Sequence, residues 1–98
     1  GHHELLIDGR GFQVRRVNIK PGMMIALQKH KLRSEHWVVV KGSAQVIYNK
    51  ETHILHENES FYVSADNAHS IKNIGESILE FIEVQVGECL KEDDIERL

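Results

Sequence analysis

Gln28, His30 and Glu35 lie close together in the sequence, at spacings that suit one metal ion. A fourth candidate, His69, follows in the second half of the chain. Successive side chains of a strand point to opposite faces, so Gln28 and His30, with one residue between them, share a face. Two imidazoles, a carboxylate and an amide oxygen form a mixed nitrogen and oxygen ligand set. This set suits Zn²⁺, Fe²⁺, Co²⁺, Ni²⁺ or Mn²⁺ and leaves coordination positions for water or substrate.

The apolar neighbours of Gln28 and His30 predict which way this pair faces. In a regular strand Met24 and Ala26 lie on the same face, and both are apolar. The interior of a barrel is filled by apolar side chains, so a polar cluster that points inward must be satisfied by its own members, by water or by an ion. We therefore predict that this face points inward.

The other two candidates are predicted to face the same interior. Glu35 begins a strand and shares its face with Trp37 and Val39, which indicates an inward direction near the mouth of a barrel. His69 shares a face with Ile71. The sequence therefore predicts that all four polar candidates converge on one cavity.

The elements that must hold these side chains are short strands. The segments are rich in Val, Ile, Phe and Tyr, and turn residues separate them about every eight to twelve positions, which is typical of all-β proteins. The predicted strands are residues 4–7, 12–20, 23–30, 35–40, 44–48, 52–55, 60–63, 68–74 and 78–86. A short C-terminal helix is predicted in residues 91–98, because Ile95 and Leu98 are three residues apart. We expect a single antiparallel β-barrel or sandwich with this helix packed against it.

Residues 12–20 do not alternate in a regular way. Phe12 and Val17 are both apolar but fall on opposite faces of a regular strand. A β-bulge near Arg15 and Arg16 would place both on the same side, and the sequence predicts one there.

Composition narrows the function classes. The chain has 98 residues, one domain's worth, with 12 Lys and Arg against 15 Asp and Glu and a formal net charge of −3. This mild charge argues against a nucleic-acid partner. No apolar run approaches the roughly 20 residues that span a bilayer, so no membrane association is expected. Cys89, the single cysteine, is predicted to be a packing residue near the end of the last strand, and it fits a cytoplasmic protein of a reducing compartment.

The spacing of the four polar candidates resembles that of the cupin superfamily. The first cupin motif reads glycine, five residues, histidine, one residue, histidine, four residues, glutamate, six residues and glycine. Here it runs from Gly22 to Gly42, with Gln28 in the place of the first histidine. The second motif ends in histidine, three residues and asparagine, as in His69–Asn73. The resemblance implies an antiparallel cupin-type jelly-roll β-barrel over residues 1–98.

Three longer stretches narrow this resemblance. The C-terminal domain of type II mannose-6-phosphate isomerases is similar to LQKHKLRSEHWVVVKGSA, ENESFYVSADNAHSIKN and IEVQVGECLKEDDIERL. The chain departs from that family at Lys31 and Leu32, which replace histidines. In the family this domain follows a mannose-1-phosphate guanylyltransferase domain in one bifunctional polypeptide. The chain begins with Gly1 rather than methionine and has no glycine-rich phosphate cradle, so we expect a C-terminal fragment of a longer polypeptide that does not itself carry guanylyl transfer.

The family resemblance also implies a function. It implies a metal, with zinc as the first choice, held by Gln28, His30, Glu35 and His69. The implied reaction is the aldose–ketose isomerisation of mannose 6-phosphate and fructose 6-phosphate. Such a reaction needs a base that removes a carbon-bound proton and a positive charge that stabilises the resulting enediolate.

Arg33 is the first candidate for binding the phosphate of this substrate. It lies between the predicted ligands, and the planar guanidinium group matches two phosphate oxygens. Weaker candidates of the same charge are Arg16, Lys20 and Lys29.

His36 is the candidate for the catalytic base, although a regular strand points it away from Glu35. Glu80 and Glu83 are further carboxylates that the sequence does not rank. The identity of the base therefore stays open at this point.

Two other function classes fit the same residues. One is a non-catalytic cupin module that binds a sugar or dimerises a larger polypeptide. The other is a metal-dependent oxygenase, in which His30, His69 and Glu35 would hold iron and Gln28 would be a bystander. Cupins of this size often pair through edge strands, so we expect a homodimer.

Overall fold

The chain folds into two antiparallel β-sheets that pack face to face. The computed structural model describes residues 2–88 and 95–98. The strands are β1 His2–Gly9, β2 Phe12–Ile19, β3 Met24–His30, β4 Arg33–Lys41, β5 Ala44–Tyr48, β6 Glu51–Leu55, β7 Ser60–Val63, β8 His69–Asn73, β9 Leu79–Gly87 and β10 Ile95–Arg97. One five-stranded sheet has the order β1-β2-β9-β4-β7, and the other has the order β10-β3-β8-β5-β6. The predicted all-β fold is confirmed, and the predicted strands are present with ends shifted by at most two residues.

The predicted C-terminal helix is wrong where the structure describes it. Ile95–Arg97 is a strand, β10, and it pairs antiparallel with β3. Without β10, β3 would be an edge strand with unpaired backbone N–H and C=O groups, which an added strand can satisfy. The backbone N–H of Leu98 continues this pairing by donating to the carbonyl of Leu27 at 3.1 Å. Cys89 and residues 91–94 lie outside the described residues.

Among the residues that the structure describes, no helix is long and apolar enough to cross a membrane.

The predicted inner face of β3 is wrong at its first half. Met24 and Ala26 are exposed, and Ile25 packs against the core instead. The register between β3 and β8 shifts between Ile25 and Gln28. The bulge changes which residues face inward, so Ile25 and Gln28 lie on the same side although they are three residues apart.

The bulge predicted near Arg15 and Arg16 is also wrong. β2 pairs with β9 without interruption, and the register shift lies on the β1 side of the sheet. Phe12 therefore lies on the outer face, where it is 38% exposed. Arg15 shares the inner face with the buried Val17 and Ile19.

The inner face of the sandwich changes from polar to apolar along its strands. On β9 the inward residues run from Gln85 and Glu83 to Phe81 and Leu79, and all four are buried. The apolar end forms the core, whose members are Val17, Ile19, Trp37, Val39, Ala44, Val46, Leu55, Val63, Ile71, Leu79 and Phe81. The polar end forms a cavity, and the cavity lies next to the apolar core.

Shortening Phe81 to alanine is expected to destabilise the chain by about 3–5 kcal/mol, because the ring is fully buried and its removal leaves a cavity. Urea denaturation followed by circular dichroism measures this change. Val40→Ala is the matched control, since Val40 is 48% exposed and should change stability by less than about 0.5 kcal/mol. Equal effects of the two substitutions would contradict the assignment of the core.

Candidate metal centre

Strand pairing places the polar side chains in cross-strand rows on the two inner faces. In one sheet Gln28 of β3 lies opposite His69 of β8. In the other sheet Trp37 of β4 lies opposite Glu83 of β9, and Glu83 lies opposite Arg15 of β2. Side chains that face each other across a strand pair have Cβ atoms about 5 Å apart. The two rows therefore bring these side chains to the same region between the sheets.

His30, Glu35 and His69 have ligand atoms that all lie within 4.8 Å of one another. Each of the three residues is 2% exposed. The Nε2 atom of His30 lies 3.3 Å from the Oε2 atom of Glu35, and the ring centroids of the two histidines are 5.3 Å apart. Gln28 is half-buried and lines the same cavity. The structure thus brings His30, Glu35 and His69 together, and Gln28 lines a cavity with Glu35 and His69.

His69 is held in the form that binds a metal. Its Nδ1 atom lies 2.9 Å from the backbone carbonyl oxygen of Asn67, to which the Nδ1–H group donates. Its Nε2 atom is buried and has no hydrogen-bond partner among the described residues. Burial lowers the pKa of His69, which keeps the ring neutral. A neutral imidazole with one nitrogen held by a carbonyl and the other carrying a lone pair fits a metal ion.

Arg33 lies beside these ligand atoms rather than at the surface. Its Nε donates to Oε2 of Glu35 at 3.0 Å, and its Nη2 lies 3.1 Å from Nε2 of His30. The guanidinium group is 5% exposed. Arg33 therefore balances the charge of Glu35 and holds its carboxylate in place.

Glu83 is the centre of a second buried polar group. Trp37 Nε1 donates both to Oε2 of Glu83 at 3.2 Å and to Oε1 of Glu35 at 3.0 Å. Gln85 Nε2 donates to Oε1 of Glu83 at 2.6 Å. Arg15 Nε lies 3.1 Å from the same oxygen, but its N–H does not point at that atom, so this contact is electrostatic. Burial, followed by the negative charge of Glu35, raises the pKa of Glu83 to about 7.

The raised pKa of Glu83 predicts that this carboxyl group makes the metal-free chain less stable as the pH rises from about 4.5 to about 7, whereas the lowered pKa of His69 acts in the opposite direction. Over this interval the unfolded state loses the proton while the folded state retains it, so ionisation favours unfolding. The loss from Glu83 is on the order of 3 kcal/mol. Urea denaturation at pH 5, 6, 7 and 8 measures it, and Glu83→Gln should remove this loss. An equally steep profile in Glu83→Gln would contradict the assignment.

A cavity of about 190 Å³ lies between the sheets at this polar end. It is lined by both polar groups, and its wall includes Arg15, Gln28, Glu35, His69, Glu83 and Arg97. The contact between Trp37 and the two carboxylates joins the metal-ligand group to the Glu83 group. The arrangement can hold one cation and place a carboxylate outside the ligand set beside it.

The structure places His36 on the outer face of β4. Its side chain is exposed, and its ring centroid lies 4.6 Å from that of Tyr62. Strand alternation turns it away from Glu35, as the sequence indicated. His36 therefore does not line the cavity and is not included in the chemistry proposed below.

The weaker phosphate candidates also lie away from the cavity wall. Arg16 forms an ion pair with Glu4, and Lys29 lies 3.6 Å from Asp66. Sequence reasoning missed two arginines that do line the cavity, Arg15 and Arg97. The available signal for Arg15 was its shared parity with Val17 and Ile19 in a bulge-free strand. No local pattern indicated Arg97, because its position depends on pairing with β3.

The sequence of the chain matches a known protein family and several curated relatives. The sequence model of a family described as "Mannose-6-phosphate isomerase C-terminal" matches residues 1–98. The chain is 45% identical over 98 residues to the mannose-1-phosphate guanylyltransferase of Sinorhizobium fredii, covering 100% of this chain and 19% of that protein. It is 46% identical over 98 residues to the alginate biosynthesis protein AlgA of Pseudomonas aeruginosa, covering 100% and 20%. The chain thus spans about a fifth of the length of these curated relatives.

Solved structures show the same architecture at low sequence identity. The cupin domain of Schizosaccharomyces pombe Cnp3 superposes with a TM-score of 0.85 at 21% identity, covering 93% of this chain and 67% of that chain. A predicted oxalate decarboxylase of Thermotoga maritima gives 0.83 at 21% identity, covering 88% and 79%. Similarity at this level shows the fold alone, and it confirms the predicted cupin architecture.

Proposed function

The chain belongs to the family of mannose-6-phosphate isomerase C-terminal domains, and from this premise we propose that it is a metal-dependent isomerase of mannose 6-phosphate and fructose 6-phosphate. One observation carries the proposal. The buried ligand atoms of His30, Glu35 and His69 all lie within 4.8 Å of one another. The buried Nε2 atom of His69 has no hydrogen-bond partner among the described residues. A divalent cation would supply one and suits two imidazoles and a carboxylate.

His30 and His69 would supply nitrogen ligands, Glu35 a carboxylate oxygen, and Gln28 an amide oxygen from the same wall of the cavity. Zinc is the first choice, and Co²⁺, Ni²⁺, Mn²⁺ and Fe²⁺ suit the same donors. When bound, such an ion supplies Lewis-acid stabilisation of negative charge on a sugar oxygen. The Asn67 carbonyl fixes the ring of His69 for this role.

Glu83 is the residue that we propose as the proton acceptor. It is a cavity-lining carboxylate that is not one of the proposed ligands, and Trp37 and Gln85 hold both of its oxygens in place. Its pKa of about 7 suits proton transfer near neutral pH. Glu80 lies on the opposite face of β9 by strand alternation, so it does not compete for this role.

Two measurements test the proposal together. The chain is loaded with Zn²⁺ or Co²⁺, its metal content is determined by elemental analysis, and exchange of the C2 proton of mannose 6-phosphate is followed by NMR. We expect about one metal ion per chain together with proton exchange and formation of fructose 6-phosphate. Sugar binding without exchange would favour the non-catalytic module. Oxygen uptake with Fe²⁺ would favour the oxygenase, because His30, His69 and Glu35 also form a suitable triad for iron.

The wider setting of the chain is a separate proposal. Because the chain spans about a fifth of relatives named as mannose-1-phosphate guanylyltransferase, we expect it to be the cupin part of a longer cytoplasmic polypeptide that includes such a domain.

Strand β1 lies at the edge of its sheet, and Leu5, Leu6 and Ile7 are 45–52% exposed there. An exposed apolar edge of this kind supports the expected homodimer. Sedimentation equilibrium measures the state of association.

A further inference from the structure

The short strand β10 brings one arginine into the cavity wall. β10 pairs antiparallel with β3, so that Arg97 lies opposite Gln28. Gln28 in turn lies opposite His69, so these three residues form one row across the sheet. The neighbouring residue Glu96 lies opposite Lys29, and the two side chains approach to 3.7 Å. Alternation therefore directs Glu96 away from the cavity that Arg97 lines.

The charge of Arg97 is not balanced within the described part of the chain. The side chain makes no ion pair and no hydrogen bond within residues 2–88 and 95–98, and it is exposed at the cavity mouth. Arg33, the first candidate by sequence, instead contacts Glu35 and His30. Arg97 is therefore better placed than Arg33 to receive an anion that enters from solvent.

Arg15 lies in the wall of the same cavity on the facing sheet. Its Nε atom lies 3.1 Å from Oε1 of Glu83, and Arg15 makes no other ion pair with the described residues. Two guanidinium groups from opposite sheets thus border one cavity. Guanidinium groups present paired N–H donors that match the oxygens of a phosphate group.

We infer that Arg97, with Arg15 across the cavity, binds the phosphate group of a sugar phosphate whose other end lies at the proposed metal centre. Adjacent strands are about 4.8 Å apart, so the backbone of β10 is about 10 Å from that of β8, which carries His69. The phosphate and His69 would therefore lie at opposite ends of this cross-strand row, with Gln28 between them. The inference rests on the proposed function for the identity of the sugar phosphate, and the phosphate subsite can be tested without turnover.

Isothermal titration calorimetry with mannose 6-phosphate, inorganic phosphate and unphosphorylated mannose tests the subsite in the metal-free chain. Arg97→Gln is expected to bind both phosphate-containing probes about 10- to 100-fold more weakly than the parent, because a charge-assisted contact is lost. Arg97→Lys should lose less affinity for these probes, since lysine retains the positive charge but not the paired N–H donors of the guanidinium group. Affinity for mannose should not change. The matched control is Arg10→Gln, because Arg10 is exposed in the turn between β1 and β2 and does not line the cavity.

The outcomes separate the subsite from the isomerase. Unchanged affinity of Arg97→Gln for mannose 6-phosphate, in a variant whose circular dichroism spectrum matches that of the parent, would overturn the subsite. Equal losses in Arg97→Gln and Arg10→Gln would also overturn it, because the effect would then be one of net charge. Phosphate affinity that depends on Arg97 in a chain without isomerase turnover would leave the subsite standing and remove the proposed function. Turnover that does not depend on Arg97 would leave the proposed function standing and overturn the subsite.

Discussion

His69→Ala is expected to bind Zn²⁺ more than 100-fold more weakly than the parent chain. The substitution removes the buried Nε2 atom, which has no hydrogen-bond partner among the described residues. The ligand atoms of His69, His30 and Glu35 all lie within 4.8 Å of one another. Substituting a residue that hydrogen-bonds to a metal ligand typically weakens metal binding by about 10- to 100-fold. The loss of a ligand itself should exceed that range. Competition with a chromophoric chelator measures the affinity, and elemental analysis after dialysis measures the number of ions retained per chain.

His36→Ala is the matched control for this experiment. His36 is a histidine of the strand that carries Glu35, but it is exposed and its ring contacts Tyr62 on the outer face. We expect this variant to retain the metal affinity of the parent. Because the ring of His69 also packs 5.6 Å from that of Trp37, the thermal unfolding of both variants should be recorded. A folded His69→Ala chain that binds zinc as the parent does would contradict the proposed centre.

Strand positions could be predicted from the sequence because local chemistry decides them. Turn residues separate the apolar segments, and alternation alone places Glu35, Trp37 and Val39 on one buried face. Asn73, which the sequence places in the second cupin motif, is buried, and its Oδ1 accepts from the backbone N–H of Gly75, two residues later, at 2.8 Å. Features of this kind depend on a few neighbouring residues, and they could therefore be read before the structure.

The features that sequence reasoning missed depend on pairing between distant strands. The bulge between Ile25 and Gln28 is a shift in the pairing of β3 with β8, so no pattern within residues 23–30 reveals it. β10 forms because β3 offers a free edge, whereas the spacing of Ile95 and Leu98 favours a helix when taken alone. Both errors concern sequence close to the site. The polar residues that come together could be predicted, but the position of Arg97 could not, because it depends on the pairing of β10 with β3.

Arg33 illustrates why a residue type does not settle a role. An arginine between two ligands suits phosphate binding in principle. In the folded chain its guanidinium group is buried, and it contacts Glu35 and His30. A buried carboxylate needs such a partner, so the folding of the ligand cluster accounts for this arginine without a substrate. The position of Arg97 in a cross-strand row then becomes the more informative observation for substrate binding.

Glu83→Gln is expected to lower kcat for mannose 6-phosphate isomerisation by about 10²- to 10⁴-fold while the chain retains its metal. A positioned base typically contributes an effect of this size, and the amide cannot accept the proton. Glu83 is not one of the proposed ligands, so the metal content should stay at the level of the parent. Steady-state kinetics with mannose 6-phosphate and elemental analysis of the same preparation measure the two quantities.

Glu80→Gln is the matched control for this experiment, because Glu80 lies on β9 but on its outer face. If Glu83 transfers the proton, Glu83→Gln loses turnover and Glu80→Gln does not. If Glu83 only supports the fold of the site, metal affinity and turnover should fall together, since Trp37 links its carboxylate to that of Glu35. A folded, metal-loaded Glu83→Gln chain with the kcat of the parent would exclude Glu83 as the base. The proposed role of Glu83 in proton transfer can thus be separated by experiment from the proposed role of Glu35 in metal binding.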